Sequence, residues 1–197
     1  ITYMNATQGW VPTIDEAVTD APVPPPNTEG IFGFGYVSGS AQCDITNLVS
    51  SSGVVASDVT GVGTERYDPA ACEYGYDKGI FGFGTGAAVT AVTNLVSNAG
   101  VVATDVTGVG TTRYALAACG YGYDKGIFGF GTTGSNTAIS NLVSNAGVVA
   151  TDVAGVGTAR KVLAACSYGD DKGIFGYGGT GGDANVKSMT NLVSNAG

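Results

Sequence analysis

The sequence predicts an all-β protein, a β-propeller built from small four-stranded antiparallel blades, each spanning one repeat of 47 residues. Three observations predict it. The stretch that starts with Gly126-Ile-Phe-Gly-Phe-Gly131 and runs on for some forty residues occurs almost unchanged from Gly79 and in altered form from Gly30 and Gly173. Asn94 to Val106 and Asn141 to Val153 both read NLVSNAGVVATDV, which sets the period. Each repeat carries four short apolar segments between turn signals and no helical periodicity; small sheets of this kind set about an axis make a propeller.

Composition agrees. Glycine supplies 33 of 197 residues and charged residues only 12%, against usual shares of roughly 7% and 25%. A collagen-like or disordered chain is excluded, because there is no Gly-X-Y period and the hydrophobic share is 44%. Sixteen carboxylates, eight Lys or Arg and no His leave a net charge of −8. With no basic stripe to neutralise phosphates, nucleic acid is not an expected partner. No apolar run approaches the roughly eighteen residues of a membrane helix, so membrane insertion is not expected either.

Residues 1–29 form an N-terminal arm. Tyr3 and Trp10 flank Asn5-Ala-Thr-Gln-Gly9, the pattern of a short hairpin, and Asn5-Ala-Thr7 is a lone glycosylation sequon. Ala21-Pro-Val-Pro-Pro-Pro26 reads as an extended polyproline spacer. The repeats follow as 30–78, 79–125, 126–172 and an incomplete 173–197, whose text stops in mid-repeat at Ser188–Gly197, so the chain is expected to continue.

In the third repeat the first strand is Gly126–Gly131. Its period-two pattern puts Ile127 and Gly129 on one face and Phe128 and Phe130 on the other. Ala138–Ser144 is the second strand, Asn145-Ala-Gly147 a tight turn, Val148–Val153 the third strand and Arg160–Tyr168 the fourth. Gly169-Asp-Asp-Lys172 returns the chain to the next Gly-Ile-Phe-Gly. Phe81, Leu95 and Val102, with their copies Phe128, Leu142 and Val149, are the expected core.

Ile-Phe-Gly-Phe-Gly, a variable loop, two strands, an Arg, and a small-residue strand ending in Gly-Tyr-Asp-Lys together resemble the kelch repeat over residues 30–197. The match departs from the family in two ways. The adjacent glycine pair occurs only at Gly178-Gly179, and Leu142 and Val149 stand where the family has Tyr and Trp. Tyr3 and Trp10 have that pair's spacing, which implies a divergent strand pair closing the ring. The near-identical repeats also resemble tandem modules of bacteriophage tail-fibre and environmental bacterial surface proteins. Those resemblances imply an extracellular or virion-surface location and a role in display and binding.

Catalysis, cofactors and metals are not expected. Without His the usual acid-base residue is missing. Asp-rich turns lack an Asp-x-Asp-x-Asp-Gly ladder for calcium, and no helix follows Gly129-Phe-Gly-Thr-Thr-Gly134 to hold a dinucleotide. Cys72, Cys119 and Cys166 occupy one repeat position, too far apart for bridges, and read as small buried residues. Cys43 is expected alone in a loop. Arg66, Arg113 and Arg160 recur beside Asp58, Asp105 and Asp152. Because they are copied into every repeat, they are expected to hold the repeat together, rather than to line a charged channel. The same applies to Asp77-Lys78, Asp124-Lys125 and Asp171-Lys172.

Length variation singles out one loop. From the Gly of GIF to the Asn of NLV the separations are 17 (Gly30 to Asn47), 15 (Gly79 to Asn94), 15 (Gly126 to Asn141) and 18 (Gly173 to Asn191). From that Asn to the next such Gly the separation is always 32, as from Asn47 to Gly79. Insertions in repeat proteins collect on one face, often the binding face. Tyr36, Ser38, Gln42, Thr85, Thr133, Ser135, Asn136, Asp183, Asn185 and Lys187 are the candidate rim residues, with hydroxyls and amides for a sugar and Tyr36 as a stacking surface. The expected partners are a cell-surface glycan or protein, as in a phage tail fibre, and copies of the chain itself if it is the protomer of an extracellular fibril.

Overall fold

The computed structural model describes residues 2–5, 9–11, 27–37, 41–181 and 185–197, and among these the protein is all-β, in small antiparallel sheets of two or three strands. The arm forms the expected hairpin, β1 (Thr2–Asn5) with β2 (Gly9–Val11), and Tyr3 lies opposite Trp10. The proline spacer at 21–26 lies outside the described residues.

The first repeat contributes a two-stranded sheet of β3 (Gly30–Val37) and β4 (Ala41–Val49). Its extra loop residues lengthen this hairpin, so Cys43 sits within β4 opposite Gly35 and not in a loop. Three three-stranded sheets follow. They are β5 (Ala70–Tyr74), β6 (Lys78–Gly82) and β7 (Thr93–Val96); β8 (Ala117–Tyr121), β9 (Lys125–Gly129) and β10 (Ser140–Val143); and β11 (Ala164–Tyr168), β12 (Lys172–Gly176) and β13 (Thr190–Val193).

The Ala-Ala-Cys strand of one repeat therefore pairs with the Gly-Ile-Phe strand of the next, across the boundaries drawn at Gly79, Gly126 and Gly173. The turn explains the pairing. Gly75 and Tyr76 both take positive φ, 59° and 70°, which gives the twist that closes a tight hairpin. The Val-Val-Ala-Thr-Asp-Val segment does not form a regular fourth strand. It touches β7 through two bridges, Val96 to Val102 and Thr93 to Val106, whose registers differ by one residue. Between them Asn94 Nδ2 donates to Ala103 O at 3.1 Å, so a side chain makes part of the ladder.

The core lies between successive sheets. Phe128 points back to the preceding sheet, its ring centroid 5.2 Å from that of Phe83 in an edge-to-face contact, and Phe130 points forward to Phe175 at 5.3 Å. The strict alternation expected for Gly126–Gly131 thus fails after Gly129. Phe130 adopts a left-handed backbone (φ 63°), as do Phe34, Phe83 and Tyr177, and this turns its ring to the opposite face. One strand thereby supplies an aromatic anchor to each neighbour. Phe128 lies so close over Gly82 that a Cβ there would come within 2.7 Å of the ring, and Gly129 has the same relation to Phe175 at 2.8 Å. These positions need glycine for close approach.

Phe81, Phe128, Val102 and Val149 are buried as expected, while Leu95 and Leu142 are only partly so. Backbone bonds tie the stack at both ends of the inner strands: Ala115 N to Asp68 O and Val162 N to Ala115 O on one side, Gly75 N to Asp124 O and Gly122 N to Asp171 O on the other.

Candidate functional site

The recurring Arg is wholly buried at positions 66, 113 and 160. It belongs to the seam between repeats. Arg66 lies over the Phe34 ring of one sheet, 3.9 Å from its centroid, and donates through Nη2 to Asn94 Oδ1 of the next at 2.6 Å. Asn94 Nδ2 in turn donates to Asp105 Oδ1 at 2.8 Å. That carboxylate also accepts the Thr64 amide at 3.0 Å and the Thr64 hydroxyl at 2.6 Å, 41 residues away. Thr111 and Asp152 repeat the clamp with the same 3.0 and 2.6 Å bonds. The Arg of one repeat is thus coupled to the Asp of the following one, Arg66 with Asp105 and Arg113 with Asp152, rather than to the Asp that precedes it in the sequence.

Arg113 Nη2 and Asn141 Oδ1 are buried without partners. In the flanking repeats the equivalent atoms bond each other, Arg66 to Asn94 at 2.6 Å and Arg160 to Asn191 at 2.8 Å. Burial lowers the pKa of Arg66 and of Arg113 to about 10, partly offset by Asp105 and Asp152, and both stay cationic at neutral pH. For Asp105 burial acts to raise the pKa. The hydrogen bonds from Thr64 and Asn94, together with Arg66, outweigh it and hold the carboxyl below its ordinary value. These charges are consumed in joining repeats, which leaves them no part in binding a ligand.

The other repeated groups are equally occupied. Each Asp-Lys turn forms its own ion pair, 2.6 Å for Asp77–Lys78 and 2.7 Å for Asp124–Lys125, and the Asp also accepts from Asn98 or Asn145. All four cysteines are free thiols. Cys72 and Cys119 press on the following sheet, where a Cβ at Gly126 or Gly173 would fall 2.5 or 2.6 Å from the sulfur. Burial pushes the Cys72 thiol up, and the Cys119 thiol to about 11, so neither is a ready nucleophile. Cys166, on the last sheet, is exposed.

The rim loops remain. Each lies beyond the same end of its sheet, where a bridge continues the hairpin: Tyr67 to Thr85, Tyr114 to Thr132, Lys161 to Gly179. Tyr36 is 60% exposed and lies opposite Gln42 near the tip of the β3–β4 hairpin. Thr133 and Ser135 are exposed, with the Thr133 hydroxyl donating to Ser135 O at 3.3 Å. Asn136 is half-buried, because its amide reaches Gly179 O of the next repeat's loop at 3.2 Å. Asn185 is exposed, and Lys187 is half-buried with its N–H on Gly178 O. Thr85 is buried, drawn into the tight bridge between Tyr67 and Val89, and offers no surface to a ligand. Ser38 and Asp183 lie outside the described residues.

Neighbouring loops therefore meet. Asn136 links the third to the fourth, and Tyr36 meets Tyr67 at the base of the second, ring centroids 5.5 Å apart at 71°. Tyr67 escaped the sequence reading. Its signal is the residue after the seam Arg, which is Tyr at 67 and 114 and Lys at 161. No protein-family model and no curated protein matches the sequence.

Proposed function

We propose that the protein is a kelch-like β-propeller, or a portion of one, serving as a non-enzymatic attachment module on a virion or extracellular surface, such as part of a phage tail fibre. It recognises a cell-surface glycan or protein through the row of rim loops. One observation carries the reading: the loops that vary in length and text lie beyond the same end of their sheets, with Tyr36 and Tyr67 as paired rings at the first two and the exposed Thr133, Ser135 and Asn185 at the last two. Aromatic faces with convergent polar groups suit a sugar, whose ring has apolar faces and a hydroxyl edge. The repeated charges, by contrast, are spent within the seams.

The test is a graft. Replacing the loops around Tyr36 and Asn185 with the short Thr85 version, and measuring binding to a glycan array and to host cells, is expected to abolish attachment and leave folding intact. Unchanged binding would overturn the rim reading. A structural reading, as protomer of an extracellular fibril, is favoured by the near-identical joints that stack one repeat on the next. Electron microscopy of native particles separates the two, since one gives a virion appendage and the other a filament without a capsid.

A further inference from the structure

Pro69 is the only proline in residues 30–197, and the residue before it is Asp68. Asp68 has a left-handed backbone, φ 52°, and its copies Ala115 and Val162 have the same conformation at 53° and 55°. The repeat therefore imposes this backbone whatever residue stands there. Bonds between repeats hold it: the Ala115 amide donates to Asp68 O at 3.2 Å, as the Val162 amide does to Ala115 O at 2.8 Å. Asp meets a left-handed backbone more easily than Ala or Val does. A following proline, however, confines the residue before it to extended backbone, and Leu116 and Leu163 follow the other two copies. The strain added by a proline thus falls on Asp68 alone.

Asp before Pro is also a reactive pair. The Asp68 carboxyl is spaced to close a cyclic anhydride on its own peptide carbonyl, and Pro69 supplies a tertiary amide nitrogen as the leaving group. The surroundings suit that reaction. Asp68 is exposed, so water reaches it. The Ala115 amide already donates to the carbonyl oxygen on which negative charge develops. Pro69 N faces Gly84, where even a Cβ would stand only 3.1 Å away, and the glycine leaves that side of the nitrogen open.

We propose that Asp68–Pro69 is a self-processing site, at which the folded chain hydrolyses its own backbone. An Oδ lone pair of the Asp68 carboxylic acid forms a bond to Asp68 C. The electrons of the C–N bond pass to Pro69 N, which takes the carboxyl proton and leaves as a secondary amine. Water then opens the anhydride, so that Asp68 ends with a free α-carboxyl beside its side-chain carboxyl, and Pro69 becomes a new amino terminus. Ala115-Leu116 and Val162-Leu163 share the backbone but lack both reacting groups, so the chain is nicked at this place alone. The nick does not open the joint. Thr64 still donates to Asp105 and Arg66 to Asn94, which bind residues 1–68 to residues 69–197 across it. The arm and first repeat thereby lose their covalent link to the stack and keep their place in it. This goes beyond the rim reading and is independent of what the rim binds.

The test follows the whole chain by intact mass over several days in mild acid, about pH 5, where part of an ordinary Asp population is protonated. Circular dichroism verifies that the chain is folded there, and a parallel sample is unfolded in urea at the same pH. The folded chain is expected to give the two fragments, the second beginning Pro-Ala-Ala-Cys, about tenfold faster or more than the unfolded one. That factor is the rate equivalent of a left-handed backbone relieved as the bond breaks. Asp68→Ala and Pro69→Leu each restore the residue of the next repeat, so both variants should fold and stay whole. Cleavage at least as fast in urea would reduce the site to the ordinary lability of an Asp-Pro pair and overturn the proposal. So would a folded chain that stays whole, or a nick at this bond that persists in Asp68→Ala.

Discussion

The guanidinium carbon of Arg113 sits 4.1 Å from the centroid of the Phe83 ring, while its Nε donates to Phe130 O at 2.9 Å. Phe83 and Phe130 belong to successive sheets, so one side chain joins both. A buried cation is costly unless its donors are satisfied. Here the ring face and two carbonyls satisfy the face, Nε and Nη1 of the guanidinium, while Nη2 is buried without a partner. The arrangement needs a planar fork rather than a point charge.

Arg113→Lys is accordingly expected to destabilise the protein by roughly 2–4 kcal/mol, since an ammonium cannot stack on Phe83 and reach Phe130 O and Thr111 O together. Urea unfolding measures this. Because Arg113 joins two successive sheets, a weakened central seam should also broaden or split the transition. A loss below about 0.5 kcal/mol with an unchanged slope would mean that the stack does not depend on the fork.

Much of this architecture was legible in the residues. The exact repeat at 94–106 and 141–153, with its glycine turns, determined the strand-rich class, and recurrence marked Arg66, Arg113 and Arg160 as structural. The phase of the hairpins was not legible. Repetition alone does not say whether Ala117–Tyr121 closes its own repeat or opens the next, and the left-handed turn at Gly122 and Tyr123 commits it to the following strand. Nor does a period of 47 say whether Arg66 pairs with Asp58 or with Asp105, since both are offered by the same text. Thr85 was misplaced because, like its copy Thr132, it continues the hairpin in a bridge, here with Tyr67, instead of standing in the loop.

Acid should loosen the seams in a defined direction. The Asp152 carboxyl is held below its ordinary value of 3.8: burial opposes this, but the bonds from Thr111 and Asn141 and the charge of Arg113 prevail. A depressed folded-state pKa means that the unfolded chain binds more protons. The stabilisation is present above the unfolded value and is lost as pH falls through the folded one. Asp152→Asn should therefore cost about 1 kcal/mol at neutral pH, a figure discounted for the exposure of the carboxylate. The gap to wild type should close under acid, where Asp152 itself is protonated. A gap independent of pH in denaturation series would show that the charge contributes nothing to the joint.

The left-handed backbone at Phe130 makes a sharper prediction, because it gives two buried rings in one strand opposite responses to glycine. Phe128 and Phe130 are 0% and 4% exposed, so truncating either to Ala should cost roughly 3–5 kcal/mol. At position 128 the backbone is a regular strand, paired with Ala118 and Asn141, and Gly there should be worse than Ala by about 0.5–1 kcal/mol. At position 130 φ is 63°, a conformation that costs an L-residue about 1–2 kcal/mol and glycine almost nothing. Phe130→Gly should therefore be more stable than Phe130→Ala, while Phe128→Gly should be less stable than Phe128→Ala. Four variants compared by urea unfolding decide it. If glycine is the worse replacement at both positions, the strand does not flip at Phe130, and the two rings share one face as simple alternation would have them.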